Sequence, residues 1–115
     1  MKKEFPCHIL AKIDIYCYMV QTGKPAACIA IQARYMGEAI QEVDREGLQA
    51  YVEILAEGWN TLWIYKKDFM LDVIKRLPDK PETVYEHWIL GKVFGYSEEA
   101  IEEFVKNLKL QEVKK

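Results

Sequence analysis

The stretch CHILAKIDIYCYMV, residues 7–20, governs how the fold is read, because its side chains alternate. Cys7, Ile9, Ala11, Ile13, Ile15, Cys17 and Met19 share one face, and His8, Lys12, Asp14, Tyr16 and Tyr18 share the other. That is the period of a long, half-buried strand. Turn chemistry follows in Gly23 and Pro25, and residues 26–32 then read as a short, isoleucine-rich second strand, so the two predict a hairpin.

Working outward, the period changes over residues 34–46. Met36, Ala39, Ile40 and Val43 recur at helical spacing, and Gly47 stands where a left-handed C-terminal cap belongs. Residues 48–57 alternate as a strand, although Leu48, Tyr51, Val52 and Leu55 also match a helix running on through Gly47. A break at Glu57-Gly58-Trp59-Asn60 precedes a strand over residues 61–66, completing a second hairpin. Asp68 is a candidate N-cap for a short helix with a stripe of Phe69, Met70, Val73, Ile74 and Leu77, stopped by Pro78. Pro81 and Glu82 suit the opening of a helix reaching Phe94, which Gly95 ends, and Ser97 caps a last helix with Glu98 and Glu99 at its positive end. The expected architecture is α+β: an antiparallel sheet of about four strands in two hairpins, a helix between them, and three C-terminal helices packed on one face.

Length and composition bound the rest. A chain of 115 residues, half of them apolar, fits one domain over residues 1–115. Its formal net charge of -2 with 30% charged residues lacks the broad basic footprint of a nucleic-acid binder. Without an apolar leader or a membrane-length apolar run, a cytoplasmic location is expected. Cys7, Cys17 and Cys28 form no CxxC pair, and their odd number argues against a closed disulfide framework.

Two surfaces stand out. His87, Gly91 and Gly95 fall four residues apart, so on a helix the histidine heads a shallow groove floored by glycines. That groove either receives the last helix or admits a planar or anionic ligand, with Lys92 and Tyr96 as polar contacts and Trp88 as a stacking surface. The second surface is aromatic. Tyr16, Tyr18, Trp63 and Tyr65 are expected on the less apolar sheet face, with Trp59 nearby and Arg34 at the rim, suiting an oligomer interface or a stacked base.

Other chemistries fit less well. Gly91-Lys92 lacks the G-x-x-x-x-G-K-[ST] spacing of a phosphate loop. A helix-turn-helix over residues 82–108 would aim Glu98, Glu99, Glu102 and Glu103 at DNA phosphates, so no DNA binding is expected. Two histidines without a cysteine or carboxylate at ligand spacing predict no metal site, and no cofactor is implied. Cys7, Cys17 or Cys28 activated by His8 or His87 would make a small hydrolase, with Cys17 or His87 as the groups expected to act, but Cys7 and Cys17 fall on an apolar strand face and Cys28 in an apolar strand, where a neutral thiol is favoured.

The run HWILGKVFGYSEEAIEEF, residues 87–104, resembles segments of small accessory proteins of phages and other mobile elements, in which a G-[KR]-x-x-G-Y turn precedes an acid-capped amphipathic helix. The resemblance implies a phage-like accessory protein and carries no chemistry with it. The function expected is therefore non-enzymatic binding by a homo-oligomer, in its sharper form a counter-defence inhibitor sequestering a nucleotide-like signal or a host protein. The alternatives are the Cys/His hydrolase and a structural or assembly subunit without a ligand.

Overall fold

The computed structural model describes residues 5–78 and 80–114. Five α-helices and three strands are present among the described residues. In order they are α1 (Cys7–Gln21), β1 (Ala26–Gln32), a 3-10 turn (Ala33–Tyr35), α2 (Met36–Arg45), β2 (Gln49–Ala56), β3 (Trp59–Tyr65), α3 (Phe69–Lys75), α4 (Val84–Val93) and α5 (Glu98–Lys114). The sheet is antiparallel in the order β1-β3-β2. Because β1 and β2 both run against β3, they are parallel to each other, with β3 inserted between them and α2 making the crossover.

The α+β class and the antiparallel sheet are as expected, but the first hairpin is not formed. Residues 7–21 are helix, so the sheet has three strands where about four were expected. Length decides this. A strand over residues 7–20 would extend about 46 Å, whereas its partners span seven residues each, leaving about half its backbone groups without a ladder. As a helix the same residues place Ile13, Cys17 and Val20 on one buried face. Burying Ile13 and Val20 stabilises by about 1.5–3 kcal/mol each, and the helix pairs its own backbone groups, whereas propensity differences stay below about 0.7 kcal/mol per residue.

Residues 48–57, ambiguous in the sequence, are strand. The helix before them stops at Gly47, which takes φ +79°, with the Leu48 N–H bonded to the Val43 carbonyl at 3.1 Å and the Gly47 N–H to that of Asp44 at 2.9 Å. This double closure is the Schellman motif, and its two apolar ends, Val43 and Leu48, are both buried in the core. Asp68 precedes α3 without capping it; its carboxylate accepts from Gln49 Nε2 at 2.6 Å instead, and Phe69 is exposed.

Both faces of the sheet are covered, a second departure from expectation. Aliphatic positions Ala27, Ile29, Ile31, Leu62 and Ile64 pack against α1 and α2. On the opposite face Ala26, Trp63 and Tyr65 pack with Met70 and Ile74 of α3 and Val93 of α4. Trp63 and Tyr65, at 7% and 3% exposure, are thus core residues rather than a surface patch. Tyr16 and Tyr18 lie on α1, the first half-buried against the aliphatic core and the second exposed, and Trp59 sits at the far end of β3. The five aromatics do not form one interface. No described helix is long and apolar enough to cross a membrane.

Candidate functional site

The site is built by α4 and α5. Thr83 starts α4: its hydroxyl accepts from the Glu86 N–H at 3.1 Å, while the Glu86 carboxylate accepts from the Thr83 and Glu82 N–H groups at 3.3 and 2.8 Å. This reciprocal box satisfies donors that a helix start leaves open. At the other end Gly95 takes φ +84°, its N–H bonding to the Lys92 carbonyl and the Tyr96 N–H to that of Gly91. The Ser97 hydroxyl then accepts from Ala100 N–H at 3.1 Å to start α5. Four residues therefore turn the chain back, and α5 folds against α4.

Gly91 is where the two helices meet. A Cβ on residue 91 would stand 2.7 Å from Ile101 Cγ1 and 2.8 Å from its Cδ1, so the missing side chain is the notch that seats Ile101. The open groove expected over Gly91 is filled at that point by the chain's own last helix. Gly95 serves a different contact: a Cβ there would lie 3.4 Å from Lys24 Cγ and 3.5 Å from Pro25 Cδ, where the turn abuts the connection between α1 and β1.

Beside the filled notch an apolar cleft of about 480 Å³ remains between α4 and α5. Leu90, Phe94, Ile101, Phe104, Pro81 and Ala100 supply its apolar lining. Among the described residues, His87 and Tyr96 are the lining side chains that carry polar atoms. The His87 ring meets Phe104 edge-on at 5.4 Å between centroids. Phe94 joins the cleft to the core, because it stacks on Trp63 at 5.7 Å and 15°. Trp63 is itself fixed by donating to Glu53 Oε1 at 3.1 Å.

A second hollow of about 260 Å³ shares Phe94 and Tyr96 with the first and extends to Lys24, Tyr16, Met19 and Cys28. The structure thus brings His87, Gly91 and Tyr96 together and leaves the remaining expected ligand contacts outside. Lys92 pairs with Glu98 at 3.3 Å and sits 5.6 Å from the Trp88 ring, and neither lines the cleft. Arg34 lies beyond the far end of β1, bonded to Gln32 Oε1 at 2.8 Å and over the Tyr35 ring. Its distance from Lys24 along the strand is on the order of 20 Å or more. Lys24 and Phe94, which the sequence reading did not single out as site residues, converge from segments 70 residues apart.

The candidate nucleophiles are poorly placed. Cys17 lies in the core on the α1 side of the sheet, whereas His87 is on α4 across it. Burial pushes the Cys17 thiol up to about 12, with Glu46, Asp14 and Glu42 adding to the shift. Burial also raises Cys28, against the pull of Lys24. Both thiols are held protonated at neutral pH, the form that does not attack.

A cluster absent from the sequence reading joins α1 to α2: carboxylate oxygens of Asp14, Glu42 and Glu46 lie within 4.8 Å of one another. Glu42 is buried and bonded by Arg45. The hydrogen bond with Glu42, then burial, then the charges of Glu42 and Glu46 raise the Asp14 carboxyl to about 6, while Glu42 is held below its ordinary range by Asp14 and Arg45. Each carboxylate could offer an oxygen to a cation, but Arg45 already offsets part of the charge, and below about pH 6 Asp14 carries a proton that it shares with Glu42, which makes this a clip between helices. No signal in sequence spacing marks it, because Asp14 and Glu42 belong to different elements. Compared with known proteins, the chain matches no protein-family model, no curated protein and no solved structure.

Proposed function

We propose that the chain acts by binding, without chemistry of its own, and that the cleft between α4 and α5 seats an apolar ligand. The lining of that cleft carries the reading: its volume falls in the range of small-molecule sites, and its walls are aliphatic and aromatic side chains held on two capped helices. A nucleotide, the ligand expected from Lys92 and Trp88, finds less support, since Lys92 is engaged by Glu98 away from the cleft. A counter-defence role of the phage type would, on this reading, operate by sequestering an apolar or amphipathic target. Saturable binding of 1-anilinonaphthalene-8-sulfonate, followed by its fluorescence, tests the site. The native protein should bind it, and Ala100→Trp, which puts an indole in the lining of the cleft, should abolish binding; equal binding by that variant removes the cleft from the account.

Self-association is a second reading, supported by the outer side of α4. Val84, Tyr85 and Trp88 are 50%, 69% and 39% exposed on a helix that is apolar nearly all round. A symmetric pairing of a second copy through these three would bury on the order of 600 Å², short of the roughly 1,000 Å² that a specific interface clears. A homodimer through α4 is accordingly weak, and sedimentation should find dissociation at micromolar concentration.

A further inference from the structure

We propose that the ligand of the α4–α5 cleft is an amphiphilic monocarboxylate, with its apolar body between the helices and its carboxylate at Lys24. The inference rests on the reading of that cleft as an apolar binding site and adds the ligand's head group and its direction. The two hollows share Phe94 and Tyr96, so both border the turn between α4 and α5, and the ligand proposed here reaches from the larger to the smaller across that turn.

Lys24 is the cation of the smaller hollow. It is half-buried, its Nζ lies 5.6 Å from the Phe94 ring centroid and 6.0 Å from that of Tyr96, and among the described residues it has no carboxylate partner. Its backbone is held on both sides: the Lys24 N–H bonds to the Met19 carbonyl at 2.9 Å, and Pro25 fixes the next residue. The stem packs against the Gly95 turn, so the ammonium is positioned before a ligand arrives. A cation in apolar surroundings attracts an anion more strongly than one in open water, because less solvent screens the pair.

The head group is a carboxylate and not a phosphate for two reasons. One lysine neutralises one charge. The start of α5, two residues after Tyr96, would otherwise suit a phosphate, but it carries Glu98 and Glu99 in its first turn, which disfavours a doubly charged head group more than a singly charged one.

Decanoate and its neutral counterpart decanol, titrated by calorimetry into the full chain, form the test. The native protein should bind decanoate about tenfold tighter than decanol, the factor expected for a hydrogen bond to a charged group. Lys24→Met, which keeps the stem and removes the charge, should bring the two affinities together. If the native protein binds both equally, or Lys24→Met keeps the preference, the head-group assignment is overturned while the apolar cleft stands. If neither ligand binds, the cleft reading fails and takes this inference with it.

Discussion

Gly91 and Ile101 meet as notch and knob: the space where a side chain on residue 91 would begin is taken by the γ1 and δ1 carbons of Ile101. The contact joins α5 to α4, and both residues line the cleft between them.

Gly91→Ala should therefore destabilise the fold even though alanine favours the helix. The gain in propensity is about 1 kcal/mol, against overpacking of about 1–3 kcal/mol when a methyl is forced onto Ile101. Denaturant unfolding should give a net loss of about 1 kcal/mol, and adding Ile101→Ala should make the pair less than additive. A more stable Gly91→Ala would show that the contact is loose.

The Asp14–Glu42 clip gives stability a pH dependence of defined sign. The Asp14 carboxyl is raised from its ordinary 3.8 to about 6 when folded, so its contribution is fully present below about pH 4 and lost as pH rises through 6. Glu42 is lowered, so its contribution is present above its ordinary 4.5 and lost as pH falls further. From these two groups stability should be highest near about pH 4 to 4.5 and fall from there as pH rises through 6. Asp14→Asn should raise the thermal midpoint above pH 7 and flatten the decline on the alkaline side; an unchanged slope would remove the shared proton.

The thiols should differ in reactivity. Cys7 is exposed, whereas Cys17 is buried with its thiol pushed up to about 12. Iodoacetamide treatment of the native protein, read by mass spectrometry, should label Cys7 first and Cys17 only after unfolding. Prompt labelling of Cys17 would mean that α1 opens readily from the sheet.

Trp63 is a core residue, and Trp63→Ala should cost about 3–5 kcal/mol. It removes the stacking on Phe94 and the bond to Glu53 together. A loss below about 1 kcal/mol would return Trp63 to the surface role expected from its sequence.

Much of the architecture was legible where local chemistry decides it. Gly47 and Gly95 close helices through their own left-handed φ, and Ser97 caps α5 with its own hydroxyl. The Thr83–Glu86 box is equally local, and it starts α4 at Val84, after the Pro81–Glu82 opening that proline and dipole chemistry suggest. Residues 7–20 misled because Ile9, Ile13 and Cys17 fit both an alternating face and an i, i+4, i+8 stripe; strand length was the arbiter. The exposure of Trp63 and Tyr65 was not legible, since it depends on α3 and α4 returning to cover the sheet. For the site, Tyr96, His87 and Gly91 were found because they share one helical hairpin. Lys24 was missed because it reaches Phe94 only through tertiary packing.

Backbone amide shifts on titrating decanoate into isotopically labelled protein test the central claim most directly, because they report where a ligand sits without assuming its head group. The account predicts saturable changes concentrated at His87, Leu90, Phe94, Ala100, Ile101 and Phe104. Changes centred instead on the exposed β2–β3 tip at Ile54, Leu55 and Trp59, or none at all, would contradict it.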